Sequence, residues 1–297
     1  MKKIIFSGVG TALITPMKDG KIDYLGLEGL IEWQISEGVG ALIIGGTTGE
    51  AATLSDRERY ELYSFAKKCA GDRIPLIFGT GTNDTEAAIK HTKMAERIGC
   101  DGALAVTPYY NRGTSEGIVR HYKKIAESTE LPIILYNVPK RTGVNLSQRE
   151  IERIAECENI VAIKEAGDSL DRLCTLAALS ERIGLYAGCD SHTYSVLSLG
   201  GLGVISVASN LFPSIFVKLY SHFVTKDREN ALRLQLMLLP FISAIFMETN
   251  PSPIKYAMSL AGLCSPEVRL PLYECENATR DRVKLEYERL LQLSSEL

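Results

Sequence analysis

Gly40-Ala41-Leu42-Ile43-Ile44-Gly45-Gly46 is an apolar run of strand length that stops at two glycines, and Ser55-x-x-Glu58 soon after it is a reciprocal helix-start signal. In that signal the serine hydroxyl and the glutamate carboxylate each satisfy a backbone N–H that the first helical turn leaves free. The same strand-then-helix unit recurs. Apolar runs ending in turn residues lie near residues 10 (GTALITP), 74 (IPLIFGTG), 102 (GALAVTP), 132 (PIILYNVP), 161 (VAIKEA), 184 (GLYAGCD) and 203 (GVISVAS). Together with the run near 40 they make eight predicted strands. Between them lie stretches with helical apolar spacing, one opened by a second capping pair, Ser147-x-x-Glu150. A parallel strand reaches its neighbour only through a crossover, and intervals of roughly 20 to 35 residues hold one helix each.

Eight such units predict an α/β protein, a closed (β/α)8 TIM barrel, with an open doubly wound sheet as the alternative. After residue 210 the pattern is helical to the end, with Val283, Tyr287, Leu290 and Leu291 expected on one face of the last helix. Residues 1–225 are therefore read as the catalytic barrel and 226–297 as a helical appendage, packed on the barrel's flank or on a neighbouring subunit.

The chain has 297 residues, 45% hydrophobic and 23% charged, enough apolar material for a large core, which excludes disordered, collagen-like and small disulfide-stapled classes. A net charge of −3 with no block of like charges argues for a small-molecule partner rather than a nucleic acid. The seven cysteines, at 69, 100, 157, 174, 189, 264 and 275, form no CxxC pair and no zinc spacing, and read as reduced thiols of a cytoplasmic protein. MKKIIF leads into Gly8, Gly10 and Ile14-Thr15-Pro16, a first strand and turn rather than a signal peptide. Ser191–Val217 is uncharged but too rich in polar residues to span a membrane. The four histidines lie far apart, so no metal is expected; neither is any cofactor, since Gly79-Thr80-Gly81 lacks the third glycine of a dinucleotide turn.

In such barrels chemistry gathers where strands end at their carboxyl edges. In Val161-Ala162-Ile163-Lys164-Glu165-Ala166, alternation puts Lys164 on the side of Ala162 and Ala166, small neighbours that leave room for a long side chain aimed into the mouth. Desolvation favours the neutral form of an amine, and a neutral amine can add to a ketone to form an imine, the electron sink of class I aldolases. The other reading is a lysine that reaches solvent or pairs with Glu165. Imine chemistry moves protons, which a phenol and a hydroxyl relay can carry: Tyr136 and Thr47 are candidates. Tyr136 could equally be a rim aromatic, and Gly45–Glu50 a turn and cap. Arg141, in the loop after Pro139, suits a carboxylate held by two parallel hydrogen bonds, or is simply solvated.

At these residues the chain resembles the pyruvate-dependent class I aldolases of the dihydrodipicolinate synthase type. The likeness rests on Gly45-Gly46-Thr47-Thr48-Gly49-Glu50-Ala51-Ala52-Thr53-Leu54, Tyr136-Asn137-Val138-Pro139-Lys140-Arg141-Thr142-Gly143, Ile163-Lys164-Glu165 and Gly203-Val204-Ile205-Ser206, and covers nearly the whole chain. It implies that Lys164 forms an imine with pyruvate, that Tyr136 donates and accepts the proton, and that Thr47 joins it to Tyr110 reaching across from a neighbouring subunit. It also implies that Thr48 holds the pyruvate carboxylate, that Gly188 and Ile205 line the pocket, and that Arg141 receives aspartate semialdehyde, in a lyase of diaminopimelate and lysine biosynthesis built as a homotetramer of two tight dimers.

Sister families, the N-acetylneuraminate lyases and keto-deoxy-sugar acid aldolases, are the runner-up, and a catalytically silent keto-acid-binding barrel is the alternative from another class. Lysine-inhibited relatives carry a second site of which this chain keeps Ala52, Asn83 and Tyr109. Where those relatives have a small hydroxyl, two imidazoles and a carboxylate, it has Ala51, Asp56, Arg59 and Ala87, so weak or absent inhibition by lysine is expected.

Overall fold

The computed structural model describes residues 2–294. Eight parallel strands close into a barrel: β1 (Gly8–Ala12), β2 (Ala41–Ile44), β3 (Leu76–Gly79), β4 (Gly102–Val106), β5 (Ile133–Asn137), β6 (Ile160–Glu165), β7 (Gly184–Ala187) and β8 (Gly203–Ser206). Each pairs with its sequence neighbour, and β1 closes the ring against β8 with Gly8 opposite Gly203. Closure there demands glycine, because a Cβ on Gly203 would sit 1.9 Å from the carbonyl oxygen of Gly8. The open doubly wound sheet is excluded. A ribbon of two short antiparallel strands, Met17–Lys18 and Lys21–Ile22, precedes the first helix; they turn at Asp19-Gly20, both at positive φ, a two-residue hairpin signal that the sequence reading overlooked.

Alternation decides which side chains fill the barrel. In β2, Ala41 and Ile43 belong to the interior cluster while Leu42 and Ile44 face the helices; in β5, Ile134 and Tyr136 point in while Ile133 and Leu135 point out. Burying each such branched side chain is worth about 1.5–3 kcal/mol. The floor of the interior is plugged by Phe6 stacked on Tyr186 with ring centroids 4.5 Å apart. Both predicted capping boxes form, at Ser55 with Glu58 and at Ser147 with Glu150.

Beyond the barrel helix Pro213–Val224, the helices Arg228–Ile245, Ser252–Leu260 and Asn277–Ser294 lie against the flank, and one hydrophobic cluster runs from the strands through Leu238, Ile254 and Leu290. The last helix buries Thr279, Val283, Glu286 and Leu290, with Tyr287 partly covered. Leu291 departs from the expected face: it is 49% exposed, because the buried stripe follows steps of four, three and four residues that leave it a quarter-turn beyond Leu290. No helix among the described residues is long and apolar enough to cross a membrane.

Candidate active site

The centre of the barrel mouth is set by pairing between β5 and β6. A register shift after Ile133 leaves Val161 as an extra residue, and from there Ile134 pairs with Ala162, Tyr136 with Lys164 and Asn137 with Glu165. Neighbours in register on parallel strands face the same way, so Tyr136 and Lys164 both enter the barrel. The Lys164 side chain is 4% exposed, with Nζ 4.4 Å from the centroid of the Tyr136 ring. A reach to solvent is thus ruled out for Lys164.

Pairing with Glu165 is ruled out as well. Glu165 turns to the outer face, fully buried, where its carboxylate accepts from Asn137 Nδ2 at 2.9 and 3.0 Å, from the Gly167 N–H at 2.8 Å and from Arg172 Nε at 3.2 Å. The outward members of the two strands are therefore bonded to one another directly behind the inward pair. This lock fixes the separation of amine and phenol, and the sequence reading overlooked it although both residues stand inside the quoted motifs.

Gly188, at the end of β7, donates its N–H to the Glu165 carbonyl at 2.7 Å, and a Cβ there would meet that oxygen at 2.7 Å and Ala166 Cβ at 2.8 Å. Only glycine lets the β7 end close up against Lys164's strand. Ile205 is buried in the interior cluster on β8. Next to Gly188, Asp190 is buried and accepts from the N–H groups of Val207 and Ala208 at 3.1 and 3.3 Å, tying the β8 exit down. Burial pushes its carboxyl above the usual carboxylate range, against the hydrogen bonds from Ser206, Val207 and Ala208. The signal for Asp190 was its place two residues after a site glycine.

The Thr47-Thr48 turn follows β2. Glu50 bends it, with φ +57 in the left-handed region, and its N–H donates to the Thr47 carbonyl at 3.1 Å. Thr48 is buried and accepts at Oγ1 from Asn250 Nδ2 at 2.9 Å; Thr47 is partly buried. The Glu50 carboxylate forms an ion pair with Lys255 in which both side chains are wholly buried, and it accepts from the Arg269 N–H at 2.9 Å. Arg269 also bonds Glu58, whose carboxyl that guanidinium holds down at about 2. The turn is thus clamped by a segment about 200 residues further on (Glu50 to Lys255 spans 205). Nothing local in the sequence marks that partnership.

Arg141 is exposed at the rim, in the short helix Pro139–Thr142, and its Nη2 donates to the Asn250 carbonyl at 2.9 Å. Tyr110 is not brought to the site of its own chain. It is 90% exposed, with φ +67, and no hydrogen bond joins it to Thr47 or Tyr136 among the described residues. The structure thus gathers Lys164, Tyr136, Gly188 and Ile205 from four strands, links Thr48 and Arg141 through Asn250, and leaves Tyr110 facing outward.

Such a mouth, with a buried amine against a phenol and hydroxyl and guanidinium groups around it, can form an imine with a small keto acid and hold a carboxylate. A model of the dihydrodipicolinate synthetase family matches residues 5–289. The 4-hydroxy-tetrahydrodipicolinate synthase of Clostridium novyi (strain NT) is 44% identical over 293 residues, 98% of this chain and 99% of that one. The structure of the 4-hydroxy-tetrahydrodipicolinate synthase from Methylacidiphilum fumariolicum SolV superposes with a TM-score of 0.96 at 41% identity, covering 99% of this chain and 98% of that one. A dihydrodipicolinate synthase structure from Cyanidioschyzon merolae with lysine bound gives a TM-score of 0.93 at 38% identity, covering 97% of this chain and 99% of that one.

Proposed function

We infer the chemistry from the premise that the chain belongs to the dihydrodipicolinate synthetase family. Its activity is that of a 4-hydroxy-tetrahydrodipicolinate synthase, a Schiff-base-forming lyase that condenses pyruvate with aspartate semialdehyde. The sister aldolases on the same scaffold are not favoured, and a silent binding barrel has no support, since the amine and the phenol are both in place. The observation that carries the site assignment is Lys164, buried in the mouth with its amine against Tyr136.

In this reading the Lys164 amine adds to the ketone carbon of pyruvate and the ketone oxygen leaves as water. Loss of a methyl proton gives an enamine whose carbon attacks the aldehyde, and the Tyr136 hydroxyl gives and takes the protons. Thr47 relays between Tyr136 and Tyr110, Thr48 holds the pyruvate carboxylate against the wall formed by Gly188 and Ile205, and Arg141 receives the carboxylate of the semialdehyde. Residues 1–225 form the catalytic barrel and 226–297 its helical appendage, which reaches back over the mouth at Asn250. The work belongs in the cytoplasm, where its seven unpaired cysteines stay reduced.

Tyr110, exposed and held in a strained backbone conformation, supports an assembly in which it enters a neighbour's site, a homotetramer of two tight dimers. The test is a coupled assay with pyruvate and three acceptors: aspartate semialdehyde, N-acetylmannosamine and glyceraldehyde. The charged semialdehyde is expected to win, and Arg141→Ala to cost roughly 1.5–3 kcal/mol in its kcat/KM, the scale of a hydrogen bond to a charged group. A preference for either neutral acceptor would overturn the assignment, and full activity in a preparation monomeric by light scattering would overturn the shared relay.

The same assay with added lysine tests regulation. Arg59 is buried and held in place by bonds to the Ala51 and Gly79 carbonyls at 2.9 and 3.0 Å, so its charge cannot swing away from an incoming ammonium. Asp56 is already engaged by Lys90 and His91, which hold its carboxyl down at about 2, and Ala87 offers no carboxylate. Lysine is expected to inhibit weakly or not at all; half-inhibition at submillimolar lysine would prove this wrong.

A further inference from the structure

Asn250 touches two groups assigned above to substrate. Its Nδ2 donates to Thr48 Oγ1 and its backbone carbonyl accepts from Arg141 Nη2, both at 2.9 Å. Thr48 and Asn250 are 3% and 4% exposed, so bulk water does not compete for the first contact. The amide oxygen, Oδ1, is buried without a hydrogen-bond partner among the described residues. A hydroxyl has one proton and two lone pairs, so once the Asn250 N–H occupies a lone pair the proton of Thr48 is left to point elsewhere. A carbonyl turned toward the threonine would instead have consumed that proton. The orientation observed puts Nδ2 rather than Oδ1 on the hydroxyl and leaves Oδ1 facing no donor of the protein among the described residues.

We propose that Asn250 is a positioning residue for the first substrate: its amide fixes the Thr48 hydroxyl as a hydrogen-bond donor aimed at the carboxylate of the bound keto acid. The inference rests on the reading of Thr48 given under the proposed function. A donor set in advance does not have to be ordered when the ligand arrives, so the effect falls on binding of the keto acid rather than on proton transfer. Arg141 is anchored by the backbone carbonyl, which a side-chain substitution leaves in place, so the second substrate is spared.

The test measures the pyruvate concentration for half-maximal borohydride trapping, the KM for aspartate semialdehyde and the melting temperature, in wild type, Asn250→Ala, Thr48→Val and the double variant. Asn250→Ala is expected to raise the pyruvate requirement about five- to tenfold, the effect of one oriented hydrogen bond, and to leave the semialdehyde KM within about twofold. On the Thr48→Val background it is expected to add no more than about twofold, because it acts through that hydroxyl. Should Asn250→Ala fold poorly, the isosteric Asn250→Asp serves: its carboxylate takes the threonine proton and repels the keto acid, and at least about a tenfold rise is expected. Independent, multiplying effects of Asn250→Ala and Thr48→Val would overturn the proposal, as would equal rises for both substrates or wild-type pyruvate binding in Asn250→Asp. A wild-type protein that traps no pyruvate on Lys164 would overturn the reading of the site itself, a result distinguishable from all of these.

Discussion

Lys164→Ala is expected to abolish condensation, with kcat/KM falling by at least ~10⁴-fold, as removal of a covalent nucleophile does in other enzymes. The fold should survive, because Lys164 shares its interior face with Ala162 and Ala166 and forms no salt bridge among the described residues. The covalent form of the same prediction uses pyruvate and borohydride. One pyruvate-derived adduct per chain is expected, mapped to the peptide that holds Lys164 and absent from the alanine variant. The protein carries an internal control in Lys255, another lysine withdrawn from solvent. Burial pushes the Lys255 ammonium down while Glu50 pushes it back up, and the bonds to Glu50 and to the Glu267 carbonyl occupy its nitrogen. An adduct on Lys255, or none anywhere, would sink the imine mechanism.

The second large effect is on stability. Replacing Lys255 with Met keeps the volume but strands the Glu50 carboxylate where no water reaches it, and breaking a buried pair from one side costs about 3–5 kcal/mol. In a chain of this size that is a drop in Tm on the order of 10 °C. The double variant Glu50→Gln with Lys255→Met should regain part of the loss, because the charge left behind is gone. Activity in the single variant should fall further than the folded fraction does, since Glu50 also shapes the turn that carries Thr47 and Thr48. Unchanged melting in Lys255→Met would mean that the pair is dispensable and the clamp is not what holds that turn.

The barrel was legible because its evidence is local. Each strand is a short apolar run closed by turn residues, as in Gly102–Val106, and several of the crossover helices carry their own start signal, as at Ser55 and Ser147. Lys164 was legible for the same reason: period-two alternation, read on six residues, already put it on the side of Ala162 and Ala166, although a pairing with Glu165 stayed open until the strands were seen. Asn250 and Lys255 were not legible, because their partners Thr48 and Glu50 lie over 200 positions away and a contact at that separation leaves no periodic trace. Leu291 misled because a run of apolar letters does not say how wide the buried face is, and the stripe that is covered stops at Leu290. The extra residue at Val161 was invisible too, yet it decides which tyrosine stands beside which lysine.

The clamp on the Thr47-Thr48 turn also orders events in time. Chains emerge from the ribosome from their N-terminus, and domains begin to fold as they emerge. All eight strands, Lys164, Tyr136 and the turn itself precede residue 207, whereas Asn250, Lys255 and Arg269 are made last. A nascent chain therefore carries Lys164 and the turn while Glu50 still waits for the lysine that pairs with it. The turn can be clamped only late, when the final stretch of chain docks on the mouth.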